Sequence, residues 1–254
     1  MKLASHFNHK KDGQLLVVSK DLQHAVAVPQ IANTLQLAIE NWSECLPLLD
    51  SVYQQLNSTQ DNSLKGILKF ESNQVLSPLP RAYQWLDGSA YVNHVELVRK
   101  ARGAQMPDSF WHDPLMYQGG SDDFLSPCED IPLQDPAWGL DFEAELAIIT
   151  DDVPMACSVD EAQPHIKLFM LVNDISLRNL IPSELAKGFG FMQSKPSSSF
   201  SPVAITPDEL AGSWDGKKLQ QRLTTHLNDQ LFGEPETHVD MTFDFPTLIS
   251  HAAK

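Results

Sequence analysis

The stretch Leu140-Asp141-Phe142-Glu143-Ala144-Glu145-Leu146-Ala147 decides how this chain is read. Leu140, Phe142, Ala144 and Leu146 fall on one face and Asp141, Glu143, Glu145 and Ala147 on the other, the period of a half-buried β-strand. Glu143 and Glu145 then stand side by side. Like charges at that spacing repel unless water, a shared proton or a cation lies between them. One reading is a solvated strand face with lysines across it. The other is a pair of oxygen ligands for a hard divalent cation.

Working outward, Leu168-Phe169-Met170-Leu171-Val172 is an apolar run that closes on Asn173-Asp174. A carboxylate at the end of a buried segment can project into a cleft, or cap a turn. Arg178 follows four residues later, close enough on a helical turn to share a site with Asp174, or free to form a surface ion pair. Lys195 sits in the polar loop Gln193–Pro202. A lone lysine there is solvated; among carboxylates it can supply charge to a developing oxyanion or carbanion. Tyr117 precedes Gly119-Gly120, which suits close backbone approach to a ligand or a tight turn. Asp87-Gly88 is first a turn signal, and His94 sits at the start of a helix over Val92 to Ala101.

The bulk numbers exclude some functions. The chain has 254 residues, 42% hydrophobic and 20% charged, as in an ordinary globular protein of one large domain or a small and a larger one. A net charge of -15 argues against nucleic acid or an anionic membrane as partner. Cys45, Cys128 and Cys157 have no close spacing, so they give no disulfide framework and no zinc pattern. That usage fits a reducing cytoplasm, and neither a signal peptide nor a membrane-spanning run is visible, so a cytoplasmic location is expected.

Residues 1–75 read as a small N-terminal α/β unit. The runs Leu15–Ser19 and Ala25–Val28 form a hairpin, and a helical pattern from Thr34 to Val52 is expected to break at Leu46-Pro47 into two helices. From Leu76 to the C-terminus the pattern is mostly strands. Later signals are a short helix from Val159 with Ser158 and Glu161 as a capping box, a hairpin turn at Asn228-Asp229, and a helix from Phe245. The expected class is α+β, mostly β. No strand–Gly-rich loop–helix fingerprint for a nucleotide is present.

Three motifs in order resemble the fumarylacetoacetate hydrolase superfamily: Gly139–Leu146, Val172-Asn173-Asp174-Ile175-Ser176-Leu177-Arg178, and the Lys195 loop leading to Phe200-Ser201-Pro202. Asn228-Asp229-Gln230 and Met241–Ile249 resemble family segments too. The resemblance covers roughly 76–254, and the N-terminal unit resembles that of the bacterial branch with a short extra domain. It implies a mixed β-sandwich roll, a homodimer, and Mg²⁺ or Ca²⁺, with Mn²⁺ as a substitute, held by Glu143, Glu145, Asp174 and the earlier Asp87. It implies His94, seven residues after Asp87, as the group that activates water. Arg178 and Lys195 would hold a substrate carboxylate or stabilise the leaving carbanion, and Tyr117 would bind substrate. The implied reaction is hydrolytic C–C cleavage of a β-dicarbonyl acid such as fumarylacetoacetate or an acylpyruvate, in aromatic-compound catabolism. Decarboxylase and hydratase relatives give a second reading, and a catalytically inactive remnant that binds a partner or metabolite a third. Two departures stand out. Ile181 replaces the glutamine expected three residues after Arg178, and family members continue past Ala253, so a C-terminally incomplete domain is expected.

Overall fold

The computed structural model describes residues 1–58, 64–101, 105–210 and 212–254, except for the side chains of His94, Val98 and Ala101. The chain divides into two compact units. One takes Met1–Gln84, Gly120–Asp151 and Lys167–Glu209; the other takes Trp85–Gly119, Asp152–Ile166 and Leu210–Lys254. In chain order come β1 (Lys2–His6), β2 (Gln14–Val18), β3 (His24–Ala27), α1 (Leu35–Glu40), α2 (Trp42–Asn57), β4 (Ile67–Lys69) and β5 (Val75–Leu76). Then follow β6 (Leu86–Gly88), α3 (Val92–Ala101), β7 (Met116–Gln118), β8 (Leu140–Asp141), β9 (Ala144–Thr150), α4 (Val159–Ala162) and β10 (Ile166–Asn173). The chain closes with β11 (Ser176–Leu177), α5 (Ile181–Leu185), β12 (Ser199–Phe200), β13 (Ala204–Ile205), β14 (Thr225–Leu227), β15 (Gln230–Gly233) and α6 (Phe245–Ala252). The class is α+β with strands predominating, as the sequence pattern requires.

The first unit is built on one sheet in the order β12-β10-β13-β1-β2-β3-β4, with β5 also on β1 and β9 on β10. Strands β1 and β2 pair antiparallel, Leu3 opposite Val17 and Ser5 opposite Leu15. Both faces at this centre are dry. Leu3, Leu15 and Val17 join Leu35, Ile39, Leu49, Tyr53 and Leu168 in one core. Ala4, Leu16 and Val18 join Phe70 and Val75 in another. Continuous apolar runs rather than alternation follow from burial on both sides.

Two local expectations need correction. The helical stretch breaks at Asn41, not at Pro47, which lies inside α2. Asn41 leaves helical geometry with φ -122° and ψ 38°, and its Nδ2 donates to the Leu37 carbonyl at 3.0 Å. Pro47, the sixth residue of α2, removes only one early hydrogen bond, and burial of Cys45, Leu49 and Tyr53 holds the helix across it. The stretch 140–147 is likewise not one strand. Strand β8 pairs with β11, Asp141 opposite Ser176, whereas β9 belongs to the main sheet, so the ladder is interrupted at Phe142-Glu143. At the break Asp174 N–H donates to the Glu143 carbonyl at 2.9 Å, and Phe142 N–H donates to Asp141 Oδ1 at 2.9 Å.

In the second unit β6 and β7 form an antiparallel pair. Helix α4 starts with the capping box of Ser158 and Glu161. Asn228 and Asp229 both take left-handed φ, 49° and 64°, and close the β14–β15 hairpin. Asp244 caps α6 by accepting from Thr247 N–H at 2.9 Å. No helix among the described residues is long and apolar enough to cross a membrane.

Candidate metal centre

The interruption at Phe142-Glu143 sets the chemistry of the first unit. It frees Glu143 from a ladder position just where β10 ends at Asn173 and the chain turns through Asp174 into β11. Asp174 is only 2% exposed. A carboxylate that deep is costly unless its charge is met. Its Oδ1 accepts from the Ser198 hydroxyl at 2.9 Å, and its Oδ2 lies 2.6 Å from Lys195 Nζ. The same ammonium lies 2.9 Å from Glu143 Oε2 and so bridges the two carboxylates. Lys195 is 9% exposed in its side chain, so it is not a solvated loop residue. Burial alone would lower its pKa; Asp174 and Glu143 outweigh that and raise it.

Glu143 Oε1 completes its set with Arg178 Nη2 at 2.6 Å and the Ser176 hydroxyl at 3.3 Å. Arg178 also places Nε 2.7 Å from Asp141 Oδ2, and that bond is the main cause of a lowered Asp141 pKa. Arg178 thus pairs with Glu143 and Asp141. The stretch after Asp174 is strand β11 rather than a helical turn, and Arg178 follows it in a turn, beside Asp141 and Glu143 rather than against Asp174.

The donor set fits a hard cation. One carboxylate oxygen from each of Glu143, Glu145 and Asp174 lies within 4.8 Å of the others. Two oxygens on one cation sit no further apart than twice the metal–oxygen distance, about 4–5 Å for Mg²⁺ to Ca²⁺. All the donors are oxygens, and a site without thiolate or imidazole suits that class of ion.

The remaining predicted residues lie in the second unit. Asp87 on β6 stands directly opposite Tyr117 on β7, so these two share a ladder position. Gly119 does allow a close approach, but to a side chain of the protein. A Cβ there would meet Trp85 Cδ1 at 2.2 Å, so the glycine makes room for the tryptophan ring. His94 belongs to α3, and its side chain lies outside the described residues.

Sequence reasoning missed Asp141, Ser176 and Ser198 as partners of the charged groups. Asp141 was visible on the polar face of the 140–147 stretch; single serines in a serine-rich loop carry no such signal. It also missed Glu184. This residue is 7% exposed, and its carboxylate accepts from the N–H groups of Met192 at 3.1 Å, Gln193 at 2.7 Å and Ser194 at 3.1 Å, and from the Ser194 hydroxyl.

The chain is thus a mostly antiparallel α+β fold with a tight set of carboxylates, two of them bridged by a lysine. The family description Fumarylacetoacetase N-terminal domain 2 matches residues 1–81, and Fumarylacetoacetate (FAA) hydrolase C-terminal matches residues 84–254. The chain belongs to the fumarylacetoacetate hydrolase family. It is similar to 2,4-didehydro-3-deoxy-L-rhamnonate hydrolase of Sphingomonas sp. (strain SKA58), 26% identical over 145 residues. That match takes in 56% of this chain and 48% of the relative, so the chain spans about half the length of the curated relative it matches. The fold is that of fumarylacetoacetate hydrolase from psychrophilic Exiguobacterium antarcticum, with TM-score 0.67, 18% identity, and coverage of 100% of this chain and 81% of that one. It also matches maleylpyruvate hydrolase from Sphingobium sp. SYK-6 in complex with manganese(II) ion and pyruvate, with TM-score 0.65, 15% identity, and coverage of 100% and 83%.

Proposed function

We propose that this chain is a metal-dependent hydrolase that cleaves a C–C bond in a β-diketo acid, an acylpyruvate or fumarylacetoacetate, in the breakdown of aromatic compounds. The observation that carries the reading is the set Glu143, Glu145 and Asp174, whose oxygens are spaced for one cation. By the family resemblance Asp87 would be a further donor. The structural neighbour crystallised with manganese(II) and pyruvate supports both the class of ion and the class of acid. Bound there, Mg²⁺, Mn²⁺ or Ca²⁺ would polarise the dicarbonyl as a Lewis acid.

The protein's own groups do the rest. Glu143 and Asp174 pair with the Lys195 ammonium and keep it charged, and that charge would stabilise a carbanion as the C–C bond breaks. Arg178, 43% exposed, would take the substrate carboxylate while Asp141 fixes its plane. Tyr117 would bind substrate, and His94 would take a proton from the attacking water at an imidazole nitrogen. The active form is a homodimer in this reading, to be tested by light scattering.

A second reading has one observation in its favour. Ile181, where the resemblance leads one to expect glutamine, is buried and apolar, so that substrate contact is missing. A decarboxylase or hydratase of β-keto acids would not need it. Assays of acylpyruvates, fumarylacetoacetate and oxaloacetate with added Mn²⁺, and again after chelation, separate the readings. Metal-dependent release of pyruvate or acetoacetate supports the hydrolase; loss of CO₂ from oxaloacetate alone overturns it.

A further inference from the structure

The segment that delivers Lys195 is held in an unusual way. Between α5 and Lys195 the chain passes through Gly188 and Gly190, both at positive φ, 82° and 111°, with nothing within 4 Å of where a side chain would start. Phe189 is 100% exposed and Met192 82%. At its end three consecutive backbone N–H groups, of Met192, Gln193 and Ser194, converge on the single carboxylate of Glu184. The Ser194 hydroxyl is a fourth donor to it, and Leu177 N–H donates to the Ser194 carbonyl at 2.8 Å. Ser194 is fully buried, and Lys195 is the next residue.

We infer that Glu184 is a positioning residue: its carboxylate gathers the N–H groups of residues 192–194 and thereby fixes the backbone direction from which Lys195 reaches Glu143 and Asp174. This inference rests on the proposed role of Lys195. Three amides aimed at one acceptor fix the dihedral angles between them, and a charged acceptor makes each bond stronger than a neutral one would. The Ser194 hydroxyl first, then the Gln193 N–H, hold the Glu184 carboxyl down to about 2 against the opposing effect of burial, so the group is ionised at any working pH. Glutamine in its place offers one oxygen, and turns an NH₂ toward the remaining donors. Lys195 would then sample orientations away from its carboxylates, and loss of orientation of that kind costs rate rather than binding.

The test uses the full chain as wild type, Glu184→Gln, Glu184→Asp, Ser194→Ala and Lys195→Met. Hydrogen–deuterium exchange reads the amides of 192–194, and the rate of reductive methylation reads the accessibility of the Lys195 amine. In Glu184→Gln we expect exchange at 192–194 to rise about tenfold or more, Lys195 to label several-fold faster, and kcat on an acylpyruvate to fall about 10²-fold with KM and Mn²⁺ affinity within about twofold. Glu184→Asp, which keeps the charge, should recover part of each effect, and Ser194→Ala should show the same changes more weakly if Glu184→Gln fails to fold. Lys195→Met should lose turnover while keeping its amides protected. Wild-type exchange and labelling in Glu184→Gln would overturn the inference, as would open amides with unchanged kcat. Absence of turnover or Mn²⁺ binding in the wild type counts against the hydrolase reading alone, because exchange and labelling still decide the role of Glu184.

Discussion

Two regions of the first unit both bury side chains and are physically opposite. Around β1 and β2 the buried side chains are Leu3, Leu15, Leu16, Val17 and Val18, and their removal from water is itself the driving force. Around β8, β11 and the Lys195 loop the buried groups are Asp174, Ser176, Ser194 and Ser198, with Lys195 and Glu143 close by. Burial there opposes folding, and each charge is met by a specific partner at a specific distance. The first region is specified by apolar pattern and volume. The second is defined by its atoms, and that is where chemistry is expected.

The contrast can be broken or sharpened by substitution. The largest effect on stability should come from Leu168→Ala in the dry core, at about 2–5 kcal/mol by urea denaturation, with Mn²⁺ affinity of the folded protein unchanged. A change in affinity would mean that the two regions are coupled. Lys195→Met should reverse the pattern: kcat falls about 10²-fold or more, and Mn²⁺ affinity stays nearly intact. If KM alone rises, Lys195 only binds substrate. Ser198→Ala removes the hydroxyl on Asp174 Oδ1 and should weaken Mn²⁺ binding about tenfold in calorimetry. A further effect is one of pH. Glu184 falls from its ordinary 4.5 to about 2 in the folded chain, so its ionised form favours folding. Its contribution is full above about 4.5 and is lost as pH falls from there toward about 2. The gap in urea midpoint between wild type and Glu184→Gln should close through that window; a gap constant with pH would show that the carboxylate charge does not matter.

Much of this was legible in the chain. The hairpin of Leu15–Val18 and Ala25–Ala27, the Ser158–Glu161 capping box and the Asn228-Asp229 turn are local signals, each with its own hydrogen-bond logic. The carboxylates Glu143, Glu145 and Asp174 were legible from strand alternation and from the end of an apolar run. What local pattern cannot show is pairing across distance. Lys2 and Leu3 pair with Ile205 and Ala204, and nothing near either stretch announces it. The break at Phe142-Glu143 is hidden for the same reason: alternation continues through it, and only the two different partners of β8 and β9 reveal it. Glu184 gives no signal in sequence, because its partners are chiefly backbone amides, which carry no side-chain signature.

The central claim is that Glu143, Glu145 and Asp174 are cation ligands, and titration calorimetry with Mn²⁺ tests it most directly. Wild type should take up about one ion per chain, and Glu145→Ala, which leaves the Lys195 pairs in place, should take up none under the same conditions, with activity lost in parallel. Unchanged affinity in Glu145→Ala would contradict the claim.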